Sequence, residues 1–295
     1  MAEVIDYGGF ADRLGARTRW ETYRAFHQEW GYEAPGGEPA WPRWSQDEHK
    51  AYVRRLRGEG APGEDEDDPF ESVDLSLPIP KALDEWWDLP FNSFAHTPRL
   101  YWTHPEYPPT VRPDPSGYGV SEGLPKDNPY VSSDSDLRVC VFKAEYQYCN
   151  EWGYLAAEAG QEDPRVLVSV AEDEWVLQAR SISEFFLLLA VQRVPAALGW
   201  SLGLDYDDLE DGTPIQERLA GAYREMGLLP WRELGADTLA YGGQDVIALH
   251  DRGGMSDCPL LIAGRTREAL IQAADRLDLE WSDETLEPPA QEEAS

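Results

Sequence analysis

The chain of 295 residues carries 56 acidic against 25 basic side chains, a formal charge of −31. That balance excludes direct readout of DNA or RNA, which needs cationic side chains facing phosphates. A hydrophobic fraction of 42% with 12 Trp supplies a folded core and excludes a wholly disordered chain. Charge of one sign either keeps a protein soluble or speeds its encounter with a cationic partner.

In chain order, Met1–Gly15 lacks a basic stretch leading into an apolar run of about 7–15 residues, so no secretion signal is expected. Phe10, Leu14, Tyr23, Phe26 and Trp30 recur at roughly helical spacing. Ser45 and Glu48 form a capping box ahead of Tyr52, Val53 and Leu56, which makes residues 1–57 a helical N-terminal segment. The run Glu64–Asp68 lies in an acidic linker, 58–76, of the kind usually left solvated. Leu77–Leu89 reads as a short amphipathic helix with Ile79, Leu83, Trp86 and Trp87 on one face. From His96 to Asp136 the composition suits a long ordered loop with one or two short strands.

Leu137–Tyr146 is apolar on both faces, as a central strand is. Arg165–Val170 and Glu174–Leu177 flank the acidic turn Ala171–Asp173 and read as an antiparallel hairpin. Ser181 and Glu184 cap a wholly apolar helix, which Pro195 is expected to stop. That run is shorter than the ~20 residues that cross a bilayer, so it is a core helix and no membrane association is expected. Thr213, Pro214 and Gln216 open a further helix that Gly227 is expected to end. Asp245–Leu249 and Pro259–Ala263 are strand-like, and Thr266 caps a last helix carrying Leu270, Ile271, Ala274 and Leu277. Residues 283–295 form an acidic tail expected to be disordered.

Candidate chemistry is sparse. Gly199-Trp-Ser-Leu-Gly203 matches the Gly-x-Ser-x-Gly elbow, with His250 and Asp251 downstream, but an elbow needs a strand before the Ser and a helix after it. Here a helix precedes and an acidic turn follows, so a tight connection is expected, and a serine hydrolase using Ser201 ranks last among the readings. Asp205, Asp207, Asp208, Glu210 and Asp211 lack the Gly and Glu of a calcium loop at the sixth and twelfth positions. The five His have no ligand spacing, the three Cys no Cys-x-x-Cys, and no phosphate loop is present. Neither metal nor cofactor is therefore expected. The Cys count suits a reducing cytoplasm.

The order of motifs resembles the SUKH superfamily, in particular its bacterial members. The residues that carry this are the Leu-Pro-started helix with Trp86 and Trp87, the Asn-Glu-Trp-Gly stretch Asn150–Gly153, and Pro164 after an acidic stretch. Trp175 and the Ser-Ile-Ser-Glu-Phe-Phe helix at Ser181–Phe186 complete the set. The likeness is closest over Asn150–Val191 and extends loosely from Leu77 to Leu277. It implies an α+β fold over 77–282, with a mixed or antiparallel sheet packed by helices, and a non-enzymatic role. Bacterial members of this type look like immunity proteins that neutralise polymorphic toxins, often basic nucleases, by direct binding. The partner-binding candidates are then Asp205, Asp207, Asp208, Glu210 and Asp211. A scaffold docking an endogenous partner is the alternative.

Overall fold

The computed structural model describes residues 3–14, 19–32, 74, 76–87, 89, 103–112, 122–145, 147–209 and 213–289. The fold is α+β with antiparallel sheets. Two compact units emerge, one made of Pro35–Phe185 and the other of Met1–Ala34 with Phe186–Ser295. This division differs from the expected boundaries. Instead of one domain over 77–282, the contacts separate at Phe185/Phe186, and the N-terminal segment joins the C-terminal part. The capping box at Ser45 and the acidic linker lie outside the described residues.

In the unit Pro35–Phe185, five strands pair strictly with their neighbours in the chain. They are β1 (Thr103–Arg112), β2 (Val139–Glu145), β3 (Glu151–Leu155), β4 (Val166–Ala171) and β5 (Glu174–Ala179). β1, at 10 residues, is longer than the short strands expected within His96–Asp136 and carries Pro105, Pro108 and Pro109. Proline cannot donate to a ladder, so these residues suit the edge position that β1 occupies and the register shift between Pro105 and Thr110. All seven residues of β2 are buried, as its apolar run on both faces predicts. Val139, Val141, Leu155, Leu167 and Trp175 cluster with Leu124. Phe142 meets Phe185 edge-on at 5.2 Å and stacks on Tyr154 at 6.3 Å. The short helix α1 of this unit (Lys81–Trp87) buries Leu83 and Trp86 and is fastened by Ala82 N donating to Glu162 O at 2.9 Å.

The apolar helix, α2 (Ile182–Leu198), is capped as expected: Ser181 Oγ accepts from Glu184 N at 3.1 Å. Its end differs from expectation. Pro195 lies within the helix, which runs to Leu198 and closes with Gly199 N donating to Pro195 O. A proline removes one ladder bond and crowds the preceding turn, yet Val191 and Val194 beside it are fully buried, and packing holds the last turn in place.

The second unit is built on a sheet ordered β6–β11–β10–β9–β7, with β8 also on β9. Its strands are β6 (Trp200–Leu204), β7 (Arg224–Glu225), β8 (Trp231–Glu233), β9 (Ala236–Gly243), β10 (Val246–Asp251) and β11 (Leu260–Gly264). Helix α3 (Ile215–Ala222) stops before β7 at Tyr223, short of Gly227. Thr266 Oγ1 caps α4 (Arg267–Arg276) by accepting from Ala269 N at 3.1 Å. Leu270, Ala273, Ala274 and Leu277 then cluster with Leu202, Ala248, Leu260 and Ile262 of the sheet.

The N-terminal segment is part of the same unit. Its helices α5 (Phe10–Leu14) and α6 (Arg19–Glu29) bury Phe10, Tyr23, Phe26 and His27. Tyr7 stacks on Trp30 at 5.6 Å and meets Phe26 edge-on at 6.0 Å. Asp245 ties this segment to the β9–β10 turn, donating its N–H to Ile5 O and accepting Ile5 N–H at Oδ1, which also takes Arg265 at 2.6 Å. The tail is corrected in part as well. Residues 283–289 are described; Leu286 is buried, and Glu287 exchanges both backbone hydrogen bonds with Ser201, at 2.9 and 2.8 Å. Residues 290–295 lie outside the described residues.

Candidate functional site

The Asn-Glu-Trp-Gly stretch proves to be architectural, and each residue has a separate task. Asn150 Nδ2 donates to Ser169 O at 2.7 Å, and Glu151 N donates to Ser169 Oγ at 2.8 Å, which fastens β3 to β4. The Glu151 carboxylate is buried against Arg112, whose Nε lies 2.9 Å away. Trp152 is fully buried, 6.1 Å from the Phe185 ring. A Cβ on Gly153 would come within 2.7 Å of Cys140 O, so only glycine lets the two strands approach. Trp175 is buried too, its Nε1 donating to Glu122 O at 2.8 Å.

Of the acidic candidates, Asp205, Asp207 and Asp208 are exposed in the segment that follows β6, while Glu210 and Asp211 lie outside the described residues. Asp205 and Asp208 brace each other: Asp208 N donates to Asp205 Oδ1 at 3.0 Å, and Asp205 N donates to Asp208 Oδ2 at 3.1 Å. Their carboxylates thus fix a turn at the surface. Among the described residues no group of three or more His, Cys, Asp or Glu side chains is placed to hold a metal ion.

Sequence reasoning missed the segment that lies beside them. Asp251 ends β10 nearly buried, and its carboxylate accepts four backbone N–H groups: Asp237 and Gly253 at 2.8 Å, Ser256 at 3.0 Å and Met255 at 3.3 Å. Burial pushes its pKa up, but these donors outweigh burial and hold the carboxyl below its usual range. The loop 252–258 is therefore wound around one anion. The signal available in the sequence was an Asp before Arg-Gly-Gly, a local arrangement in which a side chain replaces missing backbone partners. Asp251→Asn offers an amide where the backbone N–H groups need an acceptor. It is expected to cost about 1–3 kcal/mol and to speed amide exchange at Gly253, Met255 and Ser256, which hydrogen-exchange mass spectrometry reads directly.

Ser201 lies inside a strand and not at a strand-to-helix elbow or in the expected tight connection. It pairs with Ala263, which pairs with Ile247. His250 is three positions further along β10, and pairs with Leu260. Three positions put the two side chains on opposite faces, with about 10 Å along the strand and two strand spacings between them. No Ser–His pair forms. Burial lowers the pKa of His250, although Asp251 opposes the shift.

No helix among the described residues is long and apolar enough to cross a membrane. Comparison of the chain with protein-family models, with curated proteins and with solved structures finds no match.

Proposed function

We propose that this chain is a cytoplasmic, non-enzymatic protein-binding domain of the immunity type, which neutralises a cationic, nuclease-like toxin domain by covering it. The observation that carries this reading is the charge of −31, displayed in part by the exposed, mutually braced Asp205, Asp207 and Asp208. A basic active site evolved to grip phosphates presents the opposite potential, and complementary fields raise encounter rates more than they raise intrinsic affinity. The SUKH-like order of motifs supports the same class of role.

The test is capture of a purified basic nuclease-like toxin domain by the full chain, with stopped-flow association at low and at high salt. The association rate constant is expected to fall at least tenfold between about 20 mM and 500 mM salt, and nuclease activity to be lost in the complex. A rate insensitive to salt removes electrostatic capture, and unimpeded nuclease activity removes the immunity role.

A further inference from the structure

Three large apolar side chains are exposed on loops at one end of the β6–β11 sheet: Tyr206 at 44%, Leu234 at 54% and Met255 at 68%. They come from the segment after β6, the β8–β9 turn and the β10–β11 loop. The register places all three at the same end, since Leu204 pairs with Leu260, Leu260 with His250, and His250 with Leu239. The three loops touch. Met255 lies on the Gly235 backbone, its Cγ 2.9 Å from where a Cβ would stand, and the Tyr206 hydroxyl lies 3.8 Å from the corresponding point on Gly254.

Burying such side chains is ordinarily favourable, and exposed apolar groups gathered from separate loops mark interaction sites. Met255 is held out by the Asp251-centred loop, whose N–H at residue 255 is one of the four bound. Leu234 stands at φ +52°, a conformation that disfavours a leucine, and Gly235 follows at φ +83°. The charge around these three is acidic. Asp205, Asp207, Asp208 and Asp257 are exposed on the same loops. The nearby cations are already engaged: Arg252 with Asp237 at 2.7 Å and Arg232 with the same carboxylate at 3.4 Å.

We propose that Tyr206, Leu234 and Met255 form the apolar centre of the docking surface, ringed by acids, and that its occupant is a cationic protein presenting apolar side chains among lysines or arginines. This rests on the protein-binding reading above and assigns it a place: the acids steer, and the three apolar residues supply the contact that persists once water leaves. A stable complex buries about 800 Å² per partner, so these residues are the centre of a wider footprint, where truncation costs most.

The experiment uses the full chain and two synthetic peptides of equal positive charge, one of Lys and Gly only, the other with Leu and Trp placed between the lysines. Binding is read by fluorescence anisotropy in about 150 mM salt. Wild-type protein is expected to prefer the amphipathic peptide at least tenfold. The triple variant Tyr206→Ser, Leu234→Asn, Met255→Ser is expected to abolish that preference with circular dichroism unchanged. Val4→Ser and Val170→Ser, which remove exposed apolar groups elsewhere, are expected to retain it. Equal binding of both peptides by wild type, or a preference that survives in the triple variant, overturns the apolar centre and leaves acidic capture standing. Failure of both peptides to bind overturns the two readings together.

Discussion

Replacing Gly242 with alanine is expected to cost about 3 kcal/mol or more, the upper part of the range for forcing extra atoms into a packed site. Gly242 sits in β9 between Ile247 and Arg224. A Cβ there would stand 2.2 Å from the Tyr7 carbonyl oxygen and 2.3 Å from its carbon. These are backbone atoms, so no rotamer change relieves the clash. Nor can the segment slide, because the Tyr7 ring is held by Trp30 and Phe26 and Asp6 bridges to Gln244. The added methyl must therefore lift residues 5–9 from the sheet and open the aromatic cluster beneath. Urea unfolding should show the loss, accompanied by increased Trp fluorescence quenching. Gly221, in α3 with open space around its Cβ position, is the matched contrast: alanine there should stabilise by about 0.5–1 kcal/mol. A Gly242→Ala protein within about 0.5 kcal/mol of wild type would show that the close approach is not required.

Acidification is expected to remove about 3 kcal/mol of stability through His27 alone. This imidazole is fully buried among Tyr23, Phe26 and Tyr32, with ring centroids 4.3, 6.3 and 5.6 Å away, and its Nδ1 lies 2.9 Å from Tyr23 O. The carbonyl can only accept, so Nδ1 carries the proton and donates. Burial lowers the pKa of the ring to about 4, against a smaller opposing effect of the Tyr23 carbonyl. The unfolded chain protonates this ring near pH 6.5 and the folded chain only near 4, so between those values the unfolded state binds more protons. Stability is thus fully present above about pH 6.5, declines as pH falls towards 4 and levels off below it. His27→Asn keeps a donor near the Nδ1 position but cannot titrate. Its stability should fall less than that of wild type between pH 7 and pH 4.5, by about 2–3 kcal/mol in denaturant titrations. Parallel declines in the two proteins would remove His27 as the cause. The lowered pKa of His250 acts in the same direction and is common to both.

Local punctuation made part of this fold legible. The β4–β5 hairpin, the β10–β11 pair and the Ser181 and Thr266 caps were readable because a turn or cap is decided by a few adjacent residues. What escaped was decided at a distance. β9, Ala236–Gly243, ends in Gly-Gly and lacks a β-branched run, yet it is the strand on which β7, β8 and β10 all pair. Gly199–Gly203, between a helix and an acidic turn, reads as a tight connection, but Gly203 is in β6 because Leu261 pairs with it. Pro195 was read by its effect on an isolated helix, whereas burial maintains this one. The tail's Leu286 had no visible partner until β6 was in place. For the candidate surface, the acids were conspicuous at Asp205, Asp207 and Asp208. Its apolar members were not, since Tyr206, Leu234 and Met255 are distant in sequence and nothing local distinguishes an exposed Met from a buried one.

Because Met1–Ala34 belongs with Phe186–Ser295, while Pro35–Phe185 forms a unit of its own, the order of synthesis differs from the order in which packing becomes possible. Tyr7, Phe26 and Trp30 leave the ribosome well before Gly242, against which Tyr7 lies, and before Asp245 and Arg265, which bond the backbones of Ile5 and Glu29. At about 5–20 residues per second the aromatic segment waits on the order of ten seconds or more without its sheet. The strands β1 to β5, each pairing with the next in line, can assemble during that interval. A nascent chain halted before Gly242 therefore holds this aromatic segment without the strand against which Tyr7 packs.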